Sequence, residues 1–197
     1  MPLLDHFHPP LSVARHWESL HARWAGAIAD ALNNNVLPRG YYAEEQIPAI
    51  FPDSLEIQVI NTKGGPNLVA SVELISPGNK DRPEFRRAFA VKCASYLQQG
   101  ISLIIVDIVT SRLANLHNEL VELLDVGESF RMPSEPLYAV AYRPVRRPTV
   151  EQIETWPTVL HLGQSLPTLP LALDKAISVP LDLEGTYAEA CQRRRLA

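Results

Sequence analysis

The distribution of proline constrains the fold of this 197-residue chain more than any other sequence feature. The chain has seventeen prolines, yet none of them falls between positions 84 and 132. Proline removes a backbone donor and is excluded from helix interiors and central strands, so regular structure should concentrate where proline is absent. We therefore expect the middle of the chain to form the core. The last third should supply short strands and extended segments that wrap over it.

Hydrophobic periodicity predicts alternating strands and helices around this middle segment. Apolar residues three and four positions apart from Ala14 to Ala31 indicate a helix over 12–32, with Ser12 as its cap. A continuous apolar run over 101–109 is typical of a strand buried on both faces. The other predicted elements are strands over 41–47, 53–60, 68–76, 137–143 and 158–162, and helices over 83–99, 112–124 and 181–194.

The order of these elements predicts an α/β fold with a mixed sheet and flanking helices. A turn at 63–66 makes the segment over 53–76 a β-hairpin, and Gly100 ends the helix over 83–99. Strand–helix–strand connections within one sheet are right-handed crossovers, so the strand over 101–109 should run parallel to the strand over 68–76. We expect one domain over 1–197, with a core at about 12–125 and a proline-rich C-terminal extension at about 126–197.

Composition excludes several classes of protein. The net charge of −4 gives no overall attraction to a phosphate backbone, although a local basic site stays open. Two cysteines, Cys93 and Cys191, form neither a disulfide framework nor a zinc motif. No signal-peptide pattern and no apolar run of roughly 20 residues is visible, so we expect a cytoplasmic protein with no membrane partner. Gly-rich phosphate loops are missing too, so no organic cofactor is expected.

Two charged residues stand in apolar surroundings and are candidates for a catalytic site. Glu73 interrupts an otherwise apolar strand, where a carboxylate must be paired, protonated or bound to a cation. Lys92 falls between Phe89 and Tyr96 on the apolar stripe of the helix over 83–99. The structural alternatives are an edge position or an arginine pair for Glu73, and a lysine that extends to solvent at the rim for Lys92.

Asp53, at the start of the strand before Glu73, is the candidate for a second carboxylate. If the hairpin register is even, Asp53 and Glu73 project from the same face. Paired carboxylate oxygens suit Mg²⁺ or Mn²⁺, and a nearby lysine can stabilise charge on a phosphoryl oxygen. The sequence thus predicts metal-assisted phosphodiester hydrolysis, with Asp53 and Glu73 as metal ligands and Lys92 beside them. The ammonium of Lys92 should lie within roughly 4 Å of the Asp53 or Glu73 carboxylate.

These residues and their spacing resemble a bacterial family designated domain of unknown function 4058, and more distantly the PD-(D/E)XK nuclease-like superfamily. The resemblance runs through nearly the whole chain, and the most specific block is Ser76-Pro77-Gly78-Asn79-Lys80. The segments that carry it are 17–21, 41–45, 73–80, Lys92 with 100–103 and Asp107, 138–143, 166–171 and 180–183.

The resemblance implies a nuclease-like core of helix, antiparallel strands, helix and strand, with nucleic acid as the partner. The chain departs from the superfamily motif at one position, where Ile75 stands in place of the motif lysine. Lys92 or Lys80 would then supply the charge, and His21 and Glu45 are candidates to complete the site. The alternative is a binding or assembly module that keeps the fold without catalysis. A homo-oligomer is compatible with either function.

Overall fold

The computed structural model describes residues 1–46, 55–133, 137–146 and 151–193. It confirms the predicted α/β class, and no helix among these residues is long and apolar enough to cross a bilayer. The helices are α1 (Leu11–Ala14), α2 (Trp17–Ala31), α3 (Pro77–Asp81), α4 (Pro83–Gln99), α5 (Leu116–Leu124) and α6 (Leu183–Arg193). The strands are β1 (Tyr41–Gln46), β2 (Leu55–Asn61), β3 (Asn67–Leu74), β4 (Ser102–Asp107), β5 (Tyr138–Arg146), β6 (Glu151–Val159), β7 (Thr168–Ala172) and β8 (Ser178–Asp182).

Six of the strands form one mixed sheet in the order β1–β2–β3–β4–β5–β6. Neighbouring strands are antiparallel except β3 and β4, which run parallel. Helix α4 connects these two strands, so the predicted parallel crossover is confirmed. Strands β7 and β8 pair with each other in a separate small sheet.

Helices cover both faces of the six-stranded sheet. On one face, Val72 and Ile104 pack in a core that includes residues of α2 and α6, and we call this the α2 face. On the other, Ile105 and Val140 pack in a core with Phe89 of α4 and residues of α5, and we call this the α4 face. Successive residues of a strand point to opposite faces, so the parity of a residue decides which layer it enters.

The unit from α4 to β4 follows the sequence prediction closely. Pro83 occupies the first turn of α4, where its missing N–H removes no helical hydrogen bond. Gly100 ends the helix in the left-handed conformation at φ 84°, which glycine adopts without steric penalty. All six residues of β4 are buried, as the continuous apolar run predicts.

The single helix predicted over 12–32 is wrong, because the chain is extended between α1 and α2. Arg15 and His16 adopt β conformations there, so His16 occupies the cap position of α2 and Ser12 lies within α1. The break sets Trp17 at the start of α2, with its ring 4.6 Å from that of Phe7 and 4.8 Å from that of His21. The apolar residues keep a helical spacing across the break, so the sequence pattern does not reveal it.

The chain forms the short helix α3 directly after the strand predicted over 68–76, and this helix is not among the elements predicted above. Ser76 and Asn79 form a reciprocal capping box at its start. The Ser76 backbone N–H donates to Asn79 Oδ1 over 2.9 Å, and proline fits at the first helical position. This turn places the next residue, Lys80, inside the protein.

The last third of the chain adds β5 and β6 to the central sheet, and then the β7–β8 hairpin and α6. The strand predicted over 158–162 is wrong in its bounds, since β6 covers Glu151–Val159. Pro157 lies within β6, which is the outermost of the six described strands and is next to β5. An edge strand tolerates proline because one side of its backbone needs no donor.

A carboxylate–lysine cluster between the sheet and a helix

Glu56 and Glu73 face each other across the β2–β3 hairpin. They are direct partners in the antiparallel register, and directly opposed residues project to the same side of a sheet. That side is the α4 face, because Ile105 stands beside Glu73 on the next strand. Glu56 is 2% exposed and Glu73 is 1% exposed. Two buried like charges in this position would be strongly destabilising without a cation.

Lys92 supplies that cation from α4. Its Nζ lies 2.6 Å from Glu73 Oε1 and 3.3 Å from Glu56 Oε2. The prediction that Lys92 lies within salt-bridge distance of Glu73 is therefore confirmed. The ammonium also lies 5.5 Å from the centroid of the Phe89 ring, which is a favourable cation–π distance.

Three neutral side chains complete the hydrogen bonding of the two carboxylates. Tyr96 Oη donates to Glu56 Oε1 over 2.8 Å, and Gln58 Nε2 donates to the same oxygen over 2.9 Å. Ser71 Oγ donates to Glu73 Oε1 over 3.4 Å. We call Glu56, Glu73 and Lys92, together with these three neighbours, the carboxylate–lysine cluster. Its bonds fix the carboxylates in place without adding a second cation.

The two carboxylates of the cluster differ in proton affinity. Burial raises the pKa of Glu73 from 4.5 to about 7, with Lys92 opposing the rise and Glu56 adding to it. Burial alone would also raise the pKa of Glu56, but the attraction of Lys92 and the bonds from Gln58 and Tyr96 lower it overall. Burial works to lower the pKa of Lys92, and the two carboxylates outweigh it, so that pKa is raised. Glu73 is therefore the group that exchanges a proton near neutral pH.

We expect Glu73→Gln to stabilise the protein at pH 8 relative to wild type. A raised carboxyl pKa stabilises the folded state fully below the unfolded value, here 4.5, and this stabilisation is lost as the pH rises through about 7. Between pH 5 and pH 8 the unfolding free energy of wild type should fall by roughly 1–3 kcal/mol relative to the glutamine variant. Urea denaturation at both pH values measures this difference.

The exposed Glu122 of α5 offers a matched control for that measurement. Its side chain is 72% exposed, so Glu122→Gln should give the same pH dependence as wild type. A Glu73→Gln curve that runs parallel to the wild-type curve would mean that Glu73 keeps an ordinary pKa in the folded protein.

The second carboxylate of the cluster is one that sequence reasoning missed. Asp53, the predicted partner of Glu73, lies outside the described residues, and Glu56 is the carboxylate found beside Glu73. In the sequence, Glu56 and Gln58 form the polar half of an alternating strand, a pattern typical of a solvated face. Helix α4 covers that face instead, so the polar half of β2 is enclosed.

Two of the predicted supporting residues lie on the opposite side of the sheet. His21 of α2 donates from Nε2 to the carbonyl oxygen of Leu74 over 3.0 Å. Glu45 is the register partner of Ile57, which points to the α2 face, and Glu45 Oε1 lies beside Gly26 of α2. The sheet thus separates both side chains from the carboxylate–lysine cluster.

The third supporting residue, Lys80, forms a second buried ion pair. Its Nζ lies 2.7 Å from Asp107 Oδ2, and both side chains are fully buried. Asp107 ends β4 two residues after Ile105, so it lies on the α4 face, roughly 7 Å beyond the position of Glu73. The α4 face therefore holds two adjacent polar sites, the Lys80–Asp107 pair and the carboxylate–lysine cluster. The two carboxylates of the cluster differ in pKa.

Comparison of the chain with protein-family models, with curated proteins and with solved structures finds no match. The resemblance to family 4058 and to nuclease-like proteins therefore stays a prediction based on the residues quoted above.

Proposed function

We propose that the protein is a metal-dependent phosphodiester hydrolase with the carboxylate–lysine cluster as its active site. The observation that carries the proposal is the pair of facing carboxylates, Glu56 and Glu73, bridged by the Lys92 ammonium at 3.3 and 2.6 Å. Neutral packing between sheet and helix would avoid the desolvation cost of two buried carboxylates and a half-buried ammonium. A site that binds a cation would account for the presence of these charges.

The order of elements supports the same proposal. Helix α2, the antiparallel strands β1 to β3, helix α4 and the parallel strand β4 follow one another in the order that the nuclease-like resemblance implies. The cluster lies on β2, β3 and α4, with Glu73 near the end of β3. Membership of family 4058 is part of the proposal, since the same residues carry that resemblance.

The donor chemistry of the cluster fits a magnesium or manganese ion. Mg²⁺ can be bound through one or two carboxylates, which matches the number of carboxylates in the pair Glu56 and Glu73. Among the residues that the structure describes, no three His, Cys, Asp or Glu side chains converge as a metal site, so the ligands within this part of the chain would be Glu56 and Glu73. When bound, the ion would supply Lewis-acid stabilisation of phosphoryl charge.

The side chains of the cluster have distinct roles in this proposal. Glu56 and Glu73 would hold the ion through their carboxylate oxygens, and Glu73, whose pKa burial raises to about 7, must lose its proton before it can do so. Lys92 stays positively charged and can stabilise a phosphoryl oxygen. Tyr96 and Gln58 both donate to Glu56 and hold its carboxylate in position.

A groove elsewhere favours the second candidate function, a binding or assembly module without catalysis. It has a volume of about 430 Å³ and lies between α5 and strands β5 and β6, with Leu124, Phe130 and Ile153 among its apolar lining residues. Ile75, in the place of the motif lysine, is 1% exposed within the core of the α4 face. A protein that has this fold but no catalytic activity would be expected to show both features.

Calorimetric titration with Mn²⁺ tests the proposal. Wild type should bind Mn²⁺, and the affinity should fall as the pH drops below about 7, because the metal needs ionised carboxylates and burial raises the pKa of Glu73 to that value. Glu73→Gln and Glu56→Gln should each weaken binding, while the exposed control Glu122→Gln should not. Equal Mn²⁺ affinity in all four proteins, or no binding in any, would favour the binding module.

Cleavage assays then separate a metal site from an active site. Single-stranded DNA, duplex DNA and RNA are incubated with each protein in Mg²⁺ or Mn²⁺. Glu73→Gln should remove most of the cleavage, because this variant lacks one of the two carboxylates that would hold the ion. Cleavage that survives unchanged in this variant would come from a contaminant or from another site.

A further inference from the structure

A cavity of about 420 Å³ lies at the end of the six-stranded sheet where β3 and β4 begin and β5 ends. Its walls come from 67–69, 99–102 and 143–145, and from the turn of the β7–β8 hairpin at 173–175. Pockets that bind small molecules in proteins have volumes of about 300–1,000 Å³. The cavity is therefore large enough for a small molecule.

Ser102 and Arg143 stand side by side on one wall of this cavity. Leu103 pairs with Tyr142 in the antiparallel register, so the preceding Ser102 and the following Arg143 are neighbours across the two strands. Neighbours of this kind project to the same side of a sheet. That side is the α2 face, because Ala141, two residues before Arg143, packs in the core of that face. The hydroxyl and the guanidinium therefore line the cavity together.

The hydroxyl of Ser102 is a buried polar group that opens to the cavity. The residue is 6% exposed, and within the described part of the chain no hydrogen bond involves its side chain. Buried polar side chains in proteins almost always have a hydrogen-bond partner. A polar ligand in the cavity would supply one.

Arg143 holds a guanidinium in place beside this hydroxyl. Its Nη2 donates to the carbonyl oxygen of Lys175 over 2.6 Å, and its Nη1 lies 3.8 Å from Glu154 Oε2. A guanidinium has five N–H donors, so these two contacts leave donors for a ligand. Its planar shape suits a carboxylate or a phosphate, which can accept two parallel hydrogen bonds from it.

The charges around the cavity favour an anion. Arg143 and Lys175 are the cationic residues of its described lining, and Asp174 is the anionic one. The Asp174 carboxylate is already bound by three donors: two backbone N–H groups of the hairpin turn, each over 2.7 Å, and Tyr41 Oη over 3.2 Å. The described lining thus carries net positive charge in a chain whose net charge is −4.

We propose that this cavity binds a small molecule that carries an oxyanion, a carboxylate or a phosphate, on an apolar body. Arg143 and Ser102 hold the oxyanion, and Lys175 adds positive charge at the rim. The apolar body contacts Leu68 and Leu173 on the opposite walls. The carboxylate–lysine cluster lies on the α4 face, so this site is separate from it and does not depend on the proposed hydrolase function.

Two-dimensional amide NMR spectra of the protein, titrated with three probes in EDTA, test the inference. The probes are phenyl phosphate, benzoate and the neutral benzyl alcohol. Both anions should shift the signals of Ser102 and Lys175 with a Kd on the order of 1 mM, as expected for ligands of this size, and benzyl alcohol should not. Tighter binding of phenyl phosphate would identify the oxyanion as a phosphate, and tighter binding of benzoate would identify it as a carboxylate.

Substitutions of the two wall residues should weaken the binding of both anions. Ser102→Ala should weaken it by roughly 2- to 10-fold, the range for one neutral hydrogen bond. The same variant should be at least as stable as wild type in urea, because its hydroxyl has no partner within the described residues. Arg143→Gln should weaken binding by at least roughly 10-fold. Arg143→Lys should restore part of it, since lysine keeps the charge and cannot form the two parallel bonds.

Arg131 and Glu73 provide matched controls. The side chain of Arg131 is 34% exposed, close to the 30% of Arg143, and its ion pairs are with Glu122 and Glu128, which do not line the cavity. Arg131→Gln should therefore bind the anions like wild type. Glu73→Gln should do the same, because Glu73 projects from the opposite face of the sheet.

Several results would overturn the inference. Benzyl alcohol that binds as tightly as the anions would make the cavity a purely apolar site. Anion binding that is unchanged in both Ser102→Ala and Arg143→Gln would place the ligand elsewhere, as would anion binding that is lost in Glu73→Gln. The absence of any shift with either anion would mean that the cavity binds no oxyanion.

Discussion

Replacing Lys80 with methionine should lower the free energy of unfolding by about 3–5 kcal/mol at pH 8. Methionine keeps most of the side-chain volume and removes the ammonium 2.7 Å from Asp107. Among the described residues, the Val109 backbone N–H at 3.0 Å then still donates to the Asp107 carboxylate, which is fully buried. An unpaired buried charge of this kind is among the most destabilising changes that one substitution can make.

The loss of stability in Lys80→Met should shrink at pH 5. Burial already raises the pKa of Asp107 from 3.8 to about 6 with Lys80 beside it, and removing Lys80 raises it further. The proton stabilises the folded variant at acid pH, and this stabilisation disappears as the pH rises through the higher pKa. Adding Asp107→Asn should recover most of the loss at pH 8.

The exposed Lys175 serves as the control, since Lys175→Met should change the unfolding free energy by less than about 0.5 kcal/mol. Urea denaturation of the four proteins at pH 5 and pH 8 gives the comparison. If Lys80→Met is no more destabilised than Lys175→Met, the Lys80–Asp107 ion pair makes no net contribution to the free energy of unfolding.

The parts of the fold that the sequence predicted well are those where local and long-range signals agree. Pro83 and Gly100 mark the ends of α4, and the apolar run over 101–109 can only be an interior strand, so the parallel crossover followed. The break before α2 escaped notice because Trp17 continues the apolar spacing of Ala14 across it. Hydrophobic periodicity indicates which residues face the core. The chain can change direction between two such residues while the spacing of the apolar residues stays the same.

The candidate site was predicted for Glu73 and Lys92 and missed for Glu56, for a reason that lies in the hairpin. Near the turn, Asn61 pairs with Asn67, and counting back from that pair would set Leu55 opposite Glu73. An irregularity between Val59 and Ile60 shifts the register by one residue and brings Glu56 there instead. Because a one-residue slip moves every side chain to the other face, the partner of Glu73 could not be identified by counting.

Lys92→Met should be as damaging as Lys80→Met and should reveal the coupling of the two glutamates. Without the ammonium, Glu56 and Glu73 face each other as buried like charges. The expected loss at pH 8 is about 3–5 kcal/mol of unfolding free energy. Removing Lys92 takes away the attraction that holds down the pKa of Glu73, so that pKa rises beyond its value in wild type. The variant should therefore regain stability as the pH falls and Glu73 takes up a proton that it can share with Glu56.

A double-mutant cycle separates this charge effect from lost packing around Lys92. Glu73→Gln combined with Lys92→Met leaves a single carboxylate, which keeps the bonds from Tyr96 and Gln58, so most of the stability should return at pH 8. Lys63→Met, at an exposed lysine, should change stability by less than about 0.5 kcal/mol. A loss in Lys92→Met that is independent of pH and is not relieved by Glu73→Gln would assign Lys92 a packing role alone. Relief at low pH and by Glu73→Gln together would show that the Lys92 ammonium offsets the repulsion between the two carboxylates.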